Sequence, residues 1–223
     1  MNFKGFFNTE PLLMYASEYD YEDNMTVRFQ LFQFYISEVT LLTEADINSE
    51  GPRILDVDLV SFKDIQSADA AEGGITLSLG DIPQGSYKGI KFNLGLSTDL
   101  NSTAPGDYST THPLSNHYWS ASQGYVFTKL EGNADVDGSG DFSTKLTYHI
   151  GTDPMNREVA FFKDIEVLDD GLQVLNFDVD VNNILVKDNG DFLDFRETPI
   201  DHSSNVEVAS FIADNLVNAV KLR

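Results

Sequence analysis

The sequence contains no cysteine among its 223 residues. Disulfide bonds, thiolate metal sites and cysteine nucleophiles are therefore excluded. A bound metal would have to use histidine, methionine, carboxylate or carbonyl oxygen as its ligands. The absence of cysteine does not by itself indicate a cellular compartment.

Positive charge is also scarce. The 14 Lys and Arg stand against 36 Asp and Glu, which gives a formal net charge of −22. Because phosphates and anionic lipids are bound by clustered cations, this balance argues against a nucleic-acid partner and against docking on an anionic membrane. Two explanations of the acids stay open: a solvated, self-repelling surface, or calcium ligands among them.

Long hydrophobic runs and common enzyme motifs are missing as well. No apolar stretch is long enough to cross a bilayer, and the first residues, MNFKGFFNTEPLL, predict a strand instead of a signal peptide. The sequence has no G-x-S-x-G elbow, Walker loop, H-E-x-x-H or dinucleotide fingerprint. Carboxylates are abundant, but their spacing singles out no glycosidase pair.

Aromatic and β-branched residues, by contrast, are plentiful and favour strands. Hydrophobic residues make up 41% of the chain, enough for a sizeable core at this length. Residues 25–42 predict a long strand in which the apolar parity changes midway, and this indicates either a β-bulge or a strand that is buried on both faces. Residues 75–97 predict a hairpin that turns at Pro83, and Asn189-Gly190 predicts another tight turn.

The C-terminal segment has a helical periodicity. Its apolar residues predict a helix over about 204–220, capped by Ser204 or Asn205. No repeat or linker divides the chain. The sequence therefore predicts one domain, residues 1–223, with an all-β fold: a mainly antiparallel β-sandwich carrying one C-terminal α-helix.

The single tryptophan, Trp119, lies in a long irregular stretch, residues 97–123, together with His112 and His117. Loops of this length in compact domains are usually functional or disordered. Two interpretations of Trp119 follow. It packs one end of the sandwich, or it lies beside a histidine site and is chemically modified.

An acidic turn forms a second candidate site. Asp135, Asp137, Ser139 and Asp141 occupy positions one, three, five and seven of a calcium loop. The twelfth position, which should be a bidentate Glu, is Leu146, and no helix precedes the loop. The segment is therefore either a solvated hairpin tip or a weak calcium site.

Several segments of the chain together resemble the MbnP-like family of copper-binding proteins. These segments occur in the order FYISEVTLL, DIPQGSYKGIKFNLGLS, YWSASQGYVFTKLEG, YHIG and IADN. The match covers most of the chain, and the most specific part runs from Trp119 to Gly132.

The resemblance implies an exported β-sandwich without catalytic machinery of its own. In relatives of this kind a tryptophan is oxidised to kynurenine by a MauG-like di-haem partner, and the product joins two histidines at a copper ion. We therefore expect a non-enzymatic, monomeric copper-binding protein of the periplasm or cell surface. A signal or lipoprotein segment is expected to have been removed from this sequence.

The resemblance also ranks the histidines. His149 and His202 match positions where relatives carry histidine, so we expect them to bind the metal with Trp119 or its oxidised product. Relatives often carry an aromatic residue or a histidine two residues after the tryptophan, where this chain has Ala121. His117 is the candidate that could replace that missing ligand, and His112 ranks last.

Two alternatives to a copper protein stay open at this stage. The first is a cell-surface interaction module, with or without calcium, that binds a protein or glycan through its loops. The second is a member that has kept the fold and lost the metal, which the alanine at position 121 would explain.

Overall fold

The computed structural model describes residues 1–169, 171–187 and 189–223. These residues form two mixed β-sheets around a shared hydrophobic core, and the C-terminal helix packs beside them. The expected β-rich sandwich class with a C-terminal helix is confirmed. The division into one domain stays a prediction.

The strands and helices are as follows. The strands are β1 (Asn2–Phe7), β2 (Glu10–Pro11), β3 (Tyr19–Asp20), β4 (Thr26–Leu42), β5 (Arg53–Ser61), β6 (Ile75–Thr76), β7 (Gly85–Leu94), β8 (Tyr118–Ser120), β9 (Gly124–Asp135), β10 (Thr144–Gly151), β11 (Arg157–Val167), β12 (Asn176–Asp180), β13 (Ile200–Asp201) and β14 (Val220–Leu222). The helices are α1 (Ala68–Gly73), α2 (Thr98–Asn101), α3 (Asn182–Leu185) and α4 (Val206–Ala219).

The smaller sheet has the order β14-β12-β1-β2, with β6 also paired to β1. The larger sheet has the order β11-β7-β4-β9-β10-β13, with β3 and β5 paired to β4 and β8 paired to β9. Phenylalanines join the two sheets. Phe3 of the smaller sheet lies 6.2 Å from Phe34 of the larger, and Phe177 lies 5.6 Å from Phe92, as measured between ring centroids. Such aromatic contacts bury large apolar areas and hold the layers together.

The long strand β4 has both features between which its parity change could not decide, since it contains a bulge and is buried on both faces over residues 32–37. The register between β4 and β9 shifts between Phe29 and Leu31. Because one extra residue reverses which side chains face the core, both Phe29 before the shift and Phe32 after it are buried.

The predicted hairpin over residues 75–97 is wrong. Strand β6 pairs with β1 in the smaller sheet, whereas β7 pairs with β4 and β11 in the larger one. The N-terminal ammonium of Met1 donates to the Leu77 carbonyl, and the Leu77 N–H donates to the Met1 carbonyl. These bonds hold the segment after β6 against the first strand, so the connection crosses between sheets instead of folding back.

The C-terminal helix begins as the sequence indicates. The Asn205 side chain accepts hydrogen bonds from the N–H groups of Glu207 and Val208, which makes Asn205 the N-cap of α4. Val208, Ile212 and Leu216 are buried on one face of the helix. Around the expected Asn189-Gly190 turn, Val186 and Phe192 form an antiparallel bridge, although residue 188 of that turn lies outside the described residues.

The long stretch at residues 97–123 covers the outer face of the larger sheet. The Tyr35 hydroxyl on β4 donates to the Pro113 carbonyl at 2.8 Å, and Leu114 is fully buried. Gln33 and Tyr35, which point away from the sandwich core, are therefore buried as well. No helix in the described parts of the chain is long and apolar enough to span a bilayer.

Candidate metal centre

A row of polar side chains crosses four neighbouring strands on the covered outer face. Ser61 of β5 is opposite Gln33 of β4, Gln33 is opposite Lys129 of β9, and Lys129 is opposite His149 of β10. Neighbouring strands lie about 4.8 Å apart, so each of these side chains is within reach of the next. On β10, Leu146, Tyr148 and Ile150 occupy the core side. Because side chains alternate along a strand, His149 therefore lies on the outer face.

His149 and His202 come together at the end of this row. Their ring centroids lie 4.8 Å apart at an interplanar angle of 80°. The His149 Nε2 atom lies 2.6 Å from Glu131 Oε1, and the His149 side chain is 18% exposed. Burial lowers the pKa of His149, and the Glu131 carboxylate partly opposes this shift.

The position of His202 is set by the short strand β13 and by a buried carboxylate. β13 pairs in parallel with β10, which brings Asp201 opposite Tyr148. Asp201 is only 3% exposed and accepts hydrogen bonds from the backbone N–H groups of Ser203, Ser204 and Asn205. The chain therefore turns sharply around Asp201 and directs His202 toward β10.

Ser203 ties this turn to the end of β10. Its hydroxyl accepts a hydrogen bond from the Gly151 N–H at 2.9 Å, and its backbone has a φ of 55°. His117, with a φ of 60°, and Thr152, with a φ of 75° and a ψ of 151°, also have the positive φ that is rare for residues other than glycine. Such conformations cost roughly 1–3 kcal/mol each and often occur where side chains are held for a function.

Trp119 lies over the end of β10. It belongs to β8, which pairs with β9, and the indole packs so closely on Gly151 that a Cβ there would be 2.9 Å from the Trp119 Cζ3 atom. Gly151 is two residues from His149, roughly 6.6 Å along an extended strand and on the same side. The structure therefore brings Trp119, His149 and His202 to one end of the larger sheet.

His117 lies over the same row but has other partners. Its Nδ1 atom is 2.9 Å from the Lys129 Nζ atom, and its Nε2 atom is 3.3 Å from the Gln33 side-chain nitrogen. Burial lowers the pKa of His117 to about 4, with further lowering by the positive charges of Lys129, Lys63 and His149.

This shift predicts a pH dependence of stability. Between about pH 6.5 and pH 4 the unfolded chain binds a proton at His117 while the folded chain does not, so the free energy of unfolding decreases as pH falls through that window. Because His117 is partly exposed, we expect about 1–2 kcal/mol. Urea unfolding of metal-free protein at pH 7.5 and pH 4.5 measures it. His117→Gln should lose less stability than the wild type, and equal losses would contradict the assignment.

The sequence profile of the MbnP family matches residues 1–206. The chain belongs to the MbnP family. Among solved structures it is similar to MbnP from Methylosinus trichosporium, with 14% identity, a TM-score of 0.51, and coverage of 82% of this chain and 75% of that one. This likeness supports a shared fold. No curated protein sequence matches significantly.

The resemblance to the MbnP family seen in the sequence is thus confirmed. The matched region contains His117, Trp119, His149 and His202 and ends at the first residue of α4. Across the described residues, no group of three or more His, Cys, Asp or Glu side chains is arranged to hold a metal ion.

His112 lies apart from the centre. Its ring stacks on Tyr108 with a centroid distance of 4.1 Å, and its Nδ1 atom accepts a hydrogen bond from the Leu114 N–H. These contacts give His112 a structural role in the loop.

The acidic turn has its own hydrogen-bond pattern. The Asp135 carboxylate, which is 4% exposed, accepts from the backbone N–H groups of residues 137–140. These bonds lower the pKa of Asp135, the contact with Gly140 most strongly. The carboxylate lone pairs are thus occupied by the turn itself, which does not favour calcium binding. Calcium at Asp135, Asp137, Ser139 and Asp141 stays a prediction.

Three residues of the centre are missed by the sequence interpretation: Lys129, Glu131 and Asp201. Lys129 and Glu131 alternate with the apolar residues of the KLEG segment, so the sequence does indicate their face. It does not reveal that β10 brings His149 beside them. Asp201 carries no pattern of its own, because its partners are backbone N–H groups of the next turn.

Proposed function

We propose that this protein binds a copper ion at the junction of His149, His202 and Trp119 and has no catalytic activity of its own. The observation that carries the proposal is the 4.8 Å separation of the two imidazole rings beside the indole. Membership of the MbnP family supports the same conclusion.

The donor chemistry fits copper. Imidazole nitrogen suits copper ions, and the chain has no thiolate that would compete. Metal–imidazole bonds are about 2.0–2.1 Å long, so two nitrogens on one ion lie roughly 3 Å apart. The centroid distance of 4.8 Å places the two rings near enough for one ion to lie between them.

Glu131 orients His149 for this role. Its carboxylate engages the Nε2 side of the ring, so the Nδ1 lone pair is the one left for the ion. In the described structure, no hydrogen bond involves Nδ1 of His149 or either ring nitrogen of His202. Both residues therefore have nitrogen atoms ready for coordination, unlike His117.

Trp119 would provide the additional donor after oxidation. An indole N–H is a hydrogen-bond donor without a lone pair for a metal. Kynurenine, the oxidised form, carries an amine and a ketone that can coordinate. Trp119 is partly exposed, so a MauG-like di-haem partner could approach it. We propose that this oxidation completes the copper site and that the protein acts outside the cytoplasm, tethered to lipid.

Mass spectrometry of protein from its native host, with metal analysis of the same sample, tests this proposal. We expect a kynurenine mass shift on the peptide containing Trp119 and close to one copper per chain. An intact indole without copper would overturn it and favour the surface interaction module. Recombinant protein made without the di-haem partner serves as the unmodified reference.

A further inference from the structure

Lys129 lies between His117, which it contacts, and the pair formed by His149 and His202. Its ammonium lies 2.9 Å from Nδ1 of His117, while its position on β9 is directly opposite His149. Glu131, two residues along the same strand face, contacts His149. The lysine is half-buried under the loop that carries His117, so it is confined to this environment.

The contact between Lys129 and His117 uses one particular lone pair. A lysine ammonium has donors only, so Nδ1 of His117 must be the acceptor of the hydrogen bond. A metal ion would need the same lone pair. The Gln33 amide lies against the other ring nitrogen. Because Nδ1 accepts, a neutral His117 ring carries its proton on Nε2, so neither ring nitrogen has a lone pair free for a metal ion in this arrangement.

The positive charge of Lys129 also disfavours a metal ion at this site. A positive ammonium one strand away from His149 repels a bound cation, and in a partly buried site the repulsion is only weakly screened by solvent. Lys129 thus disfavours copper both by occupying a ligand and by its charge.

We propose that Lys129 withholds His117 from the copper ion, so that the ion is held by two imidazoles besides the Trp119 product, and His117 becomes a third imidazole ligand only when the lysine is removed. This inference rests on the proposed copper function. Lys129 is then the residue that keeps the affinity of the site below that of a three-histidine site, which would allow the ion to be released to an acceptor.

The substitution Lys129→Leu tests this role in full-length protein from the native host, in which Trp119 is available for the oxidation proposed above. We expect its dissociation constant for Cu²⁺ to fall by about tenfold or more, because a repelling charge is lost and a ligand is gained. Electron spin-echo spectroscopy should count three coordinated imidazoles instead of two. The control is Lys145→Leu, which removes an exposed lysine from the face of β10 that carries His149. It should change neither the dissociation constant nor the number of coordinated imidazoles.

The double variant Lys129→Leu/His117→Asn separates the two effects. It should return to two coordinated imidazoles and lose most of the gain in affinity. An imidazole count of two in Lys129→Leu, or a gain retained in the double variant, would overturn the inference. If Lys129→Leu folds poorly, Lys129→Thr places a polar, strand-favouring residue at the same position and the same outcomes apply.

The same titrations distinguish this inference from the proposed function. If wild-type copper binding depends on His149 but Lys129→Leu leaves it unchanged, only the role of Lys129 is wrong. If neither the wild type nor Lys129→Leu binds copper through His149, the proposed function fails and the inference fails with it.

Discussion

Replacing His149 or His202 with asparagine is expected to weaken copper binding by on the order of a hundredfold or more. Each substitution removes one of the two imidazoles whose centroids lie 4.8 Å apart. Among the described residues, no group of three or more His, Cys, Asp or Glu side chains is arranged to take over. A competition titration against a chromophoric copper chelator measures the dissociation constant.

The chain offers a matched control for these histidines. His112→Asn makes the same chemical change in the same protein, and an asparagine oxygen can replace the Nδ1 atom that accepts from the Leu114 N–H. It should therefore leave copper affinity unchanged. Equal weakening by all three substitutions would indicate nonspecific binding at exposed histidines and contradict the proposed site.

Replacing Asp201 with alanine is expected to lower the free energy of unfolding by about 2–4 kcal/mol and to weaken copper binding as well. The buried carboxylate accepts from three successive backbone N–H groups and from the Ser204 hydroxyl, at distances of 2.9–3.1 Å. Alanine leaves these donors without an acceptor, so the turn that directs His202 toward β10 loses its support. Urea unfolding of metal-free protein, followed by copper titration, measures both effects.

The conservative variant separates support of the turn from loss of charge. Asp201→Asn keeps one oxygen that can accept from the Ser204 and Asn205 N–H groups, so it should retain more stability and more copper affinity than Asp201→Ala. If the alanine variant unfolds at the same urea concentration as the wild type, Asp201 does not hold this turn.

Much of the β architecture follows from the sequence because side-chain alternation reports burial directly. The parity change inside β4 indicates a bulge or burial on both faces, and both are present in the strand. The helical spacing of Val208, Ile212 and Leu216 likewise predicts α4, since a helix beside a sandwich must bury one face. The absence of cysteine limits the donor set before any fold is known.

Strand partners could not be predicted in the same way. Residues 75–97 alternate as a hairpin would, but β6 bonds to β1 and β7 bonds to β4. Alternation with a period of two reports the face on which a residue lies and carries no information about which strand is its neighbour. The partner is decided by long-range hydrogen bonds such as those between Met1 and Leu77.

For the candidate site, too, the sequence determined some features and the tertiary structure determined others. The sequence by itself determined that any metal must use histidine, methionine or oxygen ligands, that His149 faces away from the core, and that the chain resembles the MbnP family. Only the tertiary structure decided that His149 meets His202 and Glu131, and that Lys129 engages His117. These contacts join residues far apart in the chain, and they exist because strand register and one covering loop bring them to the same end of the sheet.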